Sequence, residues 1–382
     1  MKNIKNNPKI FFENVAQIIE SARRFVGRTA DITMCITYYE VGRLIIEEEQ
    51  GGKTRAEYGS GLLTELSAYL TERFKKGFSE TTLKNARKFY QVYNPVIRQS
   101  FIAKFGEPNK NGKGQSFIAE LFDGEKRQLL LSKSCPFVVS WTHYLVLMRI
   151  KNDDERSFYE IEAVRGQWTV EYLKRQYGSS LYERLALSRD KEEVMRLSKE
   201  GQVIEAPQDL LKNPLVLEFL DLTEDFEYSE TDLETAIINK LSKFLLELGT
   251  GFLFEARQKR FTYDEEHFIV DLVFYNRLLD CYVLIDIKNG KLKHQDLGQM
   301  LMYVNFFDRC VKTEKENPTV GILLCREKND NIVEMTLPTD SNIYATEYSL
   351  YLPDKALLQK KLAEWVKEFE DSHEIRQEND FV

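Results

Sequence analysis

The spacing of apolar residues changes character partway along the 382-residue chain. In FFENVAQIIESARRFV, Phe12, Val15, Ile18, Ile19 and Ala22 recur every three or four positions and predict a helix with one apolar face. A second helix is predicted over 31–49, with Asp31 as its cap and the following QGG closing it. Leu62, Leu63, Leu66, Tyr69 and Leu70 form the next stripe and Gly77 breaks it. Ser79 then caps another helix, predicted to end near Tyr93, ahead of Pro95. Residues 95–136, with EPNKNGKG among them, read as a loop-rich excursion. VVSWTHYLVLMRI is apolar again, further helices are predicted through 157–187, and the charge-rich stretch 188–208 ends in Pro207 as the expected linker.

Beyond 208 the period shortens. A helix is predicted where Leu233, Ile237, Leu241, Phe244, Leu245 and Leu248 make one stripe, with Thr231 or Asp232 as cap and Gly249 as stop. Three strand-like runs follow, FLFEARQKRF, HFIVDLVFYN and CYVLIDIK, joined by short turns. A helix over 296–308, a strand TVGILLC and an edge strand NIYATEYSL complete the unit. The expected fold class is α+β and multi-domain. A helical domain covers 1–190, with a candidate helix-turn-helix at 60–93, and a linker covers 191–208. An α/β domain with a mixed sheet covers 209–352, and an amphipathic helix and tail cover 353–382.

Charge divides along the same line. Residues 1–200 carry 33 Lys and Arg against 26 Asp and Glu, and the remainder carries 20 against 35. The basic half can approach a polyanion, whereas the acidic half would repel one unless cations intervene; solvated faces are the plainer explanation. In the candidate helix-turn-helix, Lys84, Arg87 and Lys88 lie on the second helix and mark it as a possible nucleic-acid contact, with plain helix packing as the alternative. Five widely spaced cysteines without a CxxC pair indicate neither a disulfide framework nor a zinc knuckle. His143 has no second His or Cys at ligand spacing and reads as a hydrogen-bonded core residue. No apolar run reaches the roughly 18 residues a membrane span needs, and MKNIKNNPKI lacks the apolar core of a signal peptide, so a cytoplasmic protein without membrane contact is expected.

The stretch VLIDIKNGK breaks the rule for a covered strand by placing Asp286 and Lys288 among aliphatic residues. Alternation puts both charges on one face. If the hairpin turns within NRLLD, paired residues have numbers summing to 557, and Asp271 falls opposite Asp286. Their Cβ atoms would then lie about 4.5–5.5 Å apart, which is costly without a cation. Mg²⁺ suits such a pair, since it takes one or two carboxylates and leaves its other positions to water and phosphate oxygens; a nearby lysine can offset charge in the transition state. A bare D-x-K reads first as a surface ion pair. Asp271 at hairpin distance, Glu234 on the preceding helix, and Gln299 with Tyr303 on the following helix weigh the other way.

Taken together, these residues resemble the PD-(D/E)XK nuclease superfamily, and GQMLMY is similar to the Q-x-x-x-Y helix of its RecB-like branch. YGSGLLTELSAYLTERFKKGFSETTLKNARKFY, SWTHYLVLMRI and DLVFYNRLLDCYVLIDIKNGK add a closer resemblance to YhcG-type proteins, which join a helical domain to a restriction-endonuclease-like domain. The resemblance implies that Asp271 and Asp286 hold Mg²⁺ or Mn²⁺, that Lys288 is the catalytic lysine and that Glu234 is the helix acid near the metal. It further implies that Gln299 holds Lys288 or the substrate backbone, and that Tyr303 lies on the nucleic-acid side. Val270 stands where the superfamily's name has proline, and Asp286 replaces the commoner glutamate. The expected function is a metal-dependent nuclease acting on DNA. A non-catalytic binding protein on a nuclease scaffold and an endoribonuclease are the alternatives. With one site per chain, double-strand cleavage would favour a homodimer, and the N-terminal helical domain is a candidate partner surface.

Overall fold

A computed structural model of the chain describes residues 8–51, 57–105, 137–187, 191–222, 228–338, 341–360 and 362. They divide into two compact units, one formed by residues 1–156 with 163–173, the other by 157–162 with 174–382.

The first unit is helical. Helix α1 (Pro8–Gly51) is continuous where two helices were expected, and Asp31 lies inside it. The threonines at this junction are accommodated inside the helix, where Thr29, Thr33 and Thr37 each donate a hydroxyl 2.8 Å to the carbonyl four residues earlier. The first apolar stripe is exposed at Phe12, Val15, Ile18 and Ile19, whereas Ile32, Cys35, Ile36 and Tyr39 further along are buried. Helix α2 (Glu57–Phe74) and helix α3 (Glu80–Phe105) flank the short turn expected at Gly77. Helix α3 runs through Pro95 rather than stopping before it. Proline removes the bond to the carbonyl of Gln91, but Gln91 and Pro95 are both exposed and water can take that carbonyl. At the α1–α3 crossing a Cβ on Gly42 would stand 2.1 Å from the Ala86 carbonyl oxygen, so only glycine fits there. Helix α4 (Trp141–Leu147) brings Trp141 and Tyr144 against Phe89. His143 bonds Ser140 Oγ at 2.7 Å and the Trp168 carbonyl at 2.9 Å, a hydrogen-bonded packing residue as expected. The excursion from 106 to 136 lies outside the described residues, as do 363–382 of the C-terminal segment.

Helix α5 (Asp153–Arg165) contributes to both units, and helix α6 (Val170–Gly178) spans the boundary near 174. Helix α7 (Leu181–Ala186) and helix α8 (Lys191–Glu200) belong to the second. The stretch 191–208, expected as a linker, therefore holds a helix and a 3₁₀ turn (Pro207–Leu210), with Leu197 fully buried. Its charges misled, because only one face of α8 is polar.

Among the described residues the sheet has six strands in the order β1-β6-β5-β4-β3-β2. Strands β2 (Phe252–Tyr263), β3 (Glu266–Asn276) and β4 (Cys281–Lys291) form an antiparallel meander, and β5 (Val320–Glu327) and β6 (Ile343–Ser349) continue it in parallel. The predicted edge strand β6 is covered by the two-residue β1 (Leu215–Val216). The long helix expected before the meander is two helices, α9 (Glu230–Asn239) and α10 (Leu241–Leu248), broken at Lys240. Ser229 caps α9 by accepting the Asp232 N–H at 3.1 Å, in place of the expected Thr231 or Asp232. These helices cover one sheet face through Leu233, Ile237 and Phe244 against Val283, Ile285 and Ile287. Helix α11 (His294–Phe306) covers the other through Leu297, Met300 and Tyr303 against Leu284 and Leu323. Helix α12 (Asp330–Thr336) precedes β6.

One buried charge cluster pins α6, α7, α10 and β1 together. Glu247, fully buried, pairs with Arg184 at 2.7 Å and Arg175 at 3.1 Å and accepts the Val216 N–H at 3.1 Å; Arg175 also pairs with Glu218. Lys212 donates to the Glu247 carbonyl. Burial alone would raise the Glu247 carboxyl, but Arg184, Lys212 and Arg175 outweigh it and hold it at about 2. Burial lowers Lys212 to about 8.

Candidate active site

The β3–β4 hairpin has the expected register, with Leu272 opposite Ile285, Val273 opposite Leu284 and Asn276 opposite Cys281. The ladder ends at Leu272 and Ile285, one position short of Asp271 and Asp286. Asp271 Oδ2 instead accepts the N–H of Ile287 at 2.9 Å. The side chain of β3 thus takes the place of a backbone partner, and the two carboxyl groups meet within hydrogen-bonding reach where the strands part.

Lys288 Nζ lies 2.7 Å from Asp286 Oδ2, with the Asp286 side chain buried and the Lys288 side chain mostly so. Burial first, then the charge of Asp286, raises Asp271 to about 7; the bond from Ile287 and the charge of Lys288 work against that rise. Burial raises Asp286 as well, with Lys288 opposing. Burial would lower the Lys288 ammonium, yet Asp286, Glu230 and Asp271 outweigh it and raise it. Lys288 therefore stays charged while the two aspartates resist being charged together.

Glu230 was not picked out by sequence. Its carboxylate lies 3.8 Å from Lys288 Nζ and accepts the Asn289 N–H at 3.3 Å. The signal was present, because Glu230 stands one helical turn before Glu234 on the same face. Glu234 is held elsewhere: Arg257 Nε donates to its Oε1 at 2.6 Å and Gln258 Nε2 to its Oε2 at 2.8 Å. Both oxygens are engaged, so the structure does not bring Glu234 into a common ligand set with Asp271 and Asp286, although its charge reaches Asp271.

The helix after the meander also differs from expectation. Gln299 Nε2 donates to the Tyr303 hydroxyl, and among the described residues no hydrogen bond joins Gln299 to Lys288. Tyr303 is 1% exposed and its hydroxyl donates 2.8 Å to the Ile269 carbonyl, so its ring is core and cannot stack on a base. It braces β3 two residues before Asp271. In the helical unit, Arg87 pairs with Glu49 of α1 at 2.7 Å and Lys84 with Glu80 at 3.2 Å, while Lys88 is exposed. Arg87 is thus committed to helix packing, and Lys84 and Lys88 face solvent.

A divalent cation fits the pair of aspartates. Asp286 Oδ2 is buried and has no aligned hydrogen-bond donor despite the nearby ammonium, which leaves a lone pair for a cation. Among the described residues no group of three or more His, Cys, Asp and Glu is placed to hold a metal ion. Two carboxylates are what Mg²⁺ or Mn²⁺ needs, whereas a structural zinc site would need four N or S ligands. Among the described residues the four cysteines are free, and burial raises Cys281 and Cys325 to about 11, so neither offers a thiolate.

Residues 14–184 match the DUF1016 N-terminal domain, and residues 208–363 match the YhcG PDDEXK nuclease domain. The chain is 38% identical over 366 residues to the Escherichia coli (strain K12) protein named "Putative nuclease YhcG", covering 95% of this chain and 96% of that one. Among solved structures, a repair endonuclease from Pyrococcus abyssi is similar at 20% identity and a TM-score of 0.24, over 34% of this chain and 50% of that one. An EndoMS complex with double-stranded DNA is similar at 17% identity and a TM-score of 0.23, over 35% of this chain and 50% of that one. Scores so low carry no weight beside the two domain matches and the near full-length relative. The chain belongs to the YhcG family, with a DUF1016 N-terminal domain followed by a PDDEXK nuclease domain.

Proposed function

We propose that the chain is a divalent-metal-dependent nuclease that hydrolyses DNA phosphodiester bonds, with Asp271 and Asp286 holding the cation and Lys288 beside it. The observation that carries this reading is the parting of β3 from β4 at Asp271 and Asp286. A structural ion pair with Lys288 needs one carboxylate. The second accepts the Ile287 N–H but brings repulsion and desolvation that this bond does not offset, and a cation of charge +2 does. When bound there, Mg²⁺ or Mn²⁺ polarises a phosphoryl oxygen and lowers the pKa of water within its reach. The Lys288 ammonium, kept charged by its three carboxylate neighbours, stabilises negative charge building on the phosphate. Gln299 acts through Tyr303, which ties α11 to β3 beside the site.

The basic face of α3, through Lys84 and Lys88, is proposed to add sequence-independent affinity for the nucleic-acid backbone. Two copies would supply the two sites that cutting both strands requires. The test is incubation of the full chain with linear and circular, single- and double-stranded DNA and with RNA, in Mg²⁺, Mn²⁺ or EDTA. Cleavage of DNA only when the cation is present supports the reading. Cleavage of RNA alone would change the substrate class, and no cleavage of any substrate would overturn it.

A further inference from the structure

Gln258 lies in the middle of β2 with φ +48°. A left-handed backbone at a non-glycine residue is strained and persists only where the surroundings impose it. Elsewhere in the meander such angles fall in turns, at Asp264 and Glu265 between β2 and β3 and at Asp280 between β3 and β4, where tight hairpins call for them. Gln258 is not in a turn. Arg257 pairs with Leu272 and Lys259 with Val270, so Gln258 stands across from Asp271, and no ladder pair joins the two. Strand β3 is thus released at Asp271 on both sides, from β2 as well as from β4.

The same backbone turn explains how Glu234 is held. Adjacent side chains of a regular strand point to opposite faces. Arg257 and Gln258 nevertheless grip the two oxygens of one buried carboxylate, at 2.6 Å and 2.8 Å, and Arg257 Nη2 also donates to Thr235 Oγ1 at 2.9 Å. Both can reach Glu234 because the chain is turned over at Gln258.

We propose that Gln258 is a positioning residue of the metal site: its left-handed backbone opens β2 opposite Asp271, and its amide, with Arg257, fixes Glu234 beside that opening. This rests on the nuclease reading above. Glu234, gripped from two sides, stays near Asp271 but cannot swing in to become a further ligand. The amide therefore sets the field around the cation without touching it. A purely structural clamp would lock α9 to β2 and leave metal binding unchanged.

The experiment compares the full chain with Gln258→Gly, Gln258→Asn and Asp286→Asn. Each is melted without nucleic acid in EDTA and across a Mg²⁺ or Mn²⁺ titration, and each is assayed for cleavage. Glycine adopts the left-handed conformation freely and asparagine tolerates it, so the strand opening survives while the amide is lost or shortened. The expected result for Gln258→Gly is a melting temperature in EDTA close to or above that of the wild type. Its metal-induced rise in melting temperature should need about tenfold more cation, and its cleavage should fall about tenfold or more. Gln258→Asn should show the same displacement. Wild-type metal response and cleavage in both variants would overturn the proposal, as would failure of both to fold, since Gln258 would then serve the fold alone. If the wild type itself shows neither a metal response nor cleavage, the nuclease reading fails and this inference with it. If the wild type responds, Asp286→Asn does not, and the Gln258 variants match the wild type, only this inference falls.

Discussion

Replacing Asp271 by asparagine should stabilise the metal-free protein near pH 8. Burial and the charge of Asp286 raise the Asp271 carboxyl from 3.8 to about 7. The unfolded chain ionises this group near its ordinary value, so between these two values folding takes up a proton. The stability it contributes is fully present below the unfolded pKa and is lost as the pH rises through about 7. Roughly three units at about 1.36 kcal/mol each set an upper limit of about 4 kcal/mol. Partial exposure of Asp271 and its sharing of protons with Asp286 reduce this to roughly 2 kcal/mol. Asparagine keeps an acceptor for the Ile287 N–H and carries no charge. The variant should therefore melt about 4–8 °C above the wild type at pH 8 in EDTA. The gap should narrow steadily as the pH falls below about 7 and close only near the ordinary value of 3.8, where the unfolded wild type is protonated at this position too. Thermal melts across that range at matched ionic strength are the assay. A variant that melts no higher at pH 8, or a gap that does not change with pH, would refute the reasoning.

Glu247→Gln should cost about 3–5 kcal/mol in urea unfolding, because it removes the fully buried carboxylate that Arg184 and Arg175 share, although Arg175 keeps Glu218; a loss under about 1 kcal/mol would mean the cluster is wet. In the wild type the contribution of Glu247 is present above its ordinary value of 4.5 and lost as the pH falls through about 2, a slope opposite in sign to that of Asp271. Gly42→Ala should cost about 1–3 kcal/mol, since its methyl group would meet the Ala86 backbone and push α1 from α3, and an unchanged melting temperature would contradict that crossing. Lys84→Glu with Lys88→Glu should weaken DNA binding and flatten its salt dependence while lowering the melt only slightly, through repulsion between position 84 and Glu80 on the exposed face. Arg87→Glu should lower the melting temperature by setting two carboxylates face to face with Glu49; the reverse assignment would reject the α3 surface as a DNA contact.

The hairpin register was legible in the sequence because two strands with a short turn between them leave little freedom, and aliphatic alternation fixes which residues face inwards. The helix–meander–helix–strand order was legible for the same local reasons. Other features depend on contacts distant in sequence. The two-residue β1 has no period to detect, and it pairs with β6 more than 130 positions later. Helix α1 looked like two helices because Asp31 resembles a cap, whereas the helix runs unbroken through it, with threonine hydroxyls bonded back to the preceding turn. Asp271, Asp286 and Lys288 could be grouped by pattern alone, whereas the roles expected of Glu234, Gln299 and Tyr303 depended on side-chain direction. That direction is set by Arg257, by the turned backbone at Gln258 and by the Ile269 carbonyl, none of which has a local signature.

The most direct test is cleavage of end-labelled double-stranded DNA by the wild type and by Asp286→Asn over a Mg²⁺ titration, with EDTA as the zero point. Wild-type cleavage should appear only with the cation. Asp286→Asn, still folded by its melt, should cleave at least about a hundredfold more slowly at every concentration. A variant that cleaves at the wild-type rate with the same metal requirement would mean that the two aspartates do not hold the cation, and Asp286 with Lys288 would be an ion pair at the end of a strand.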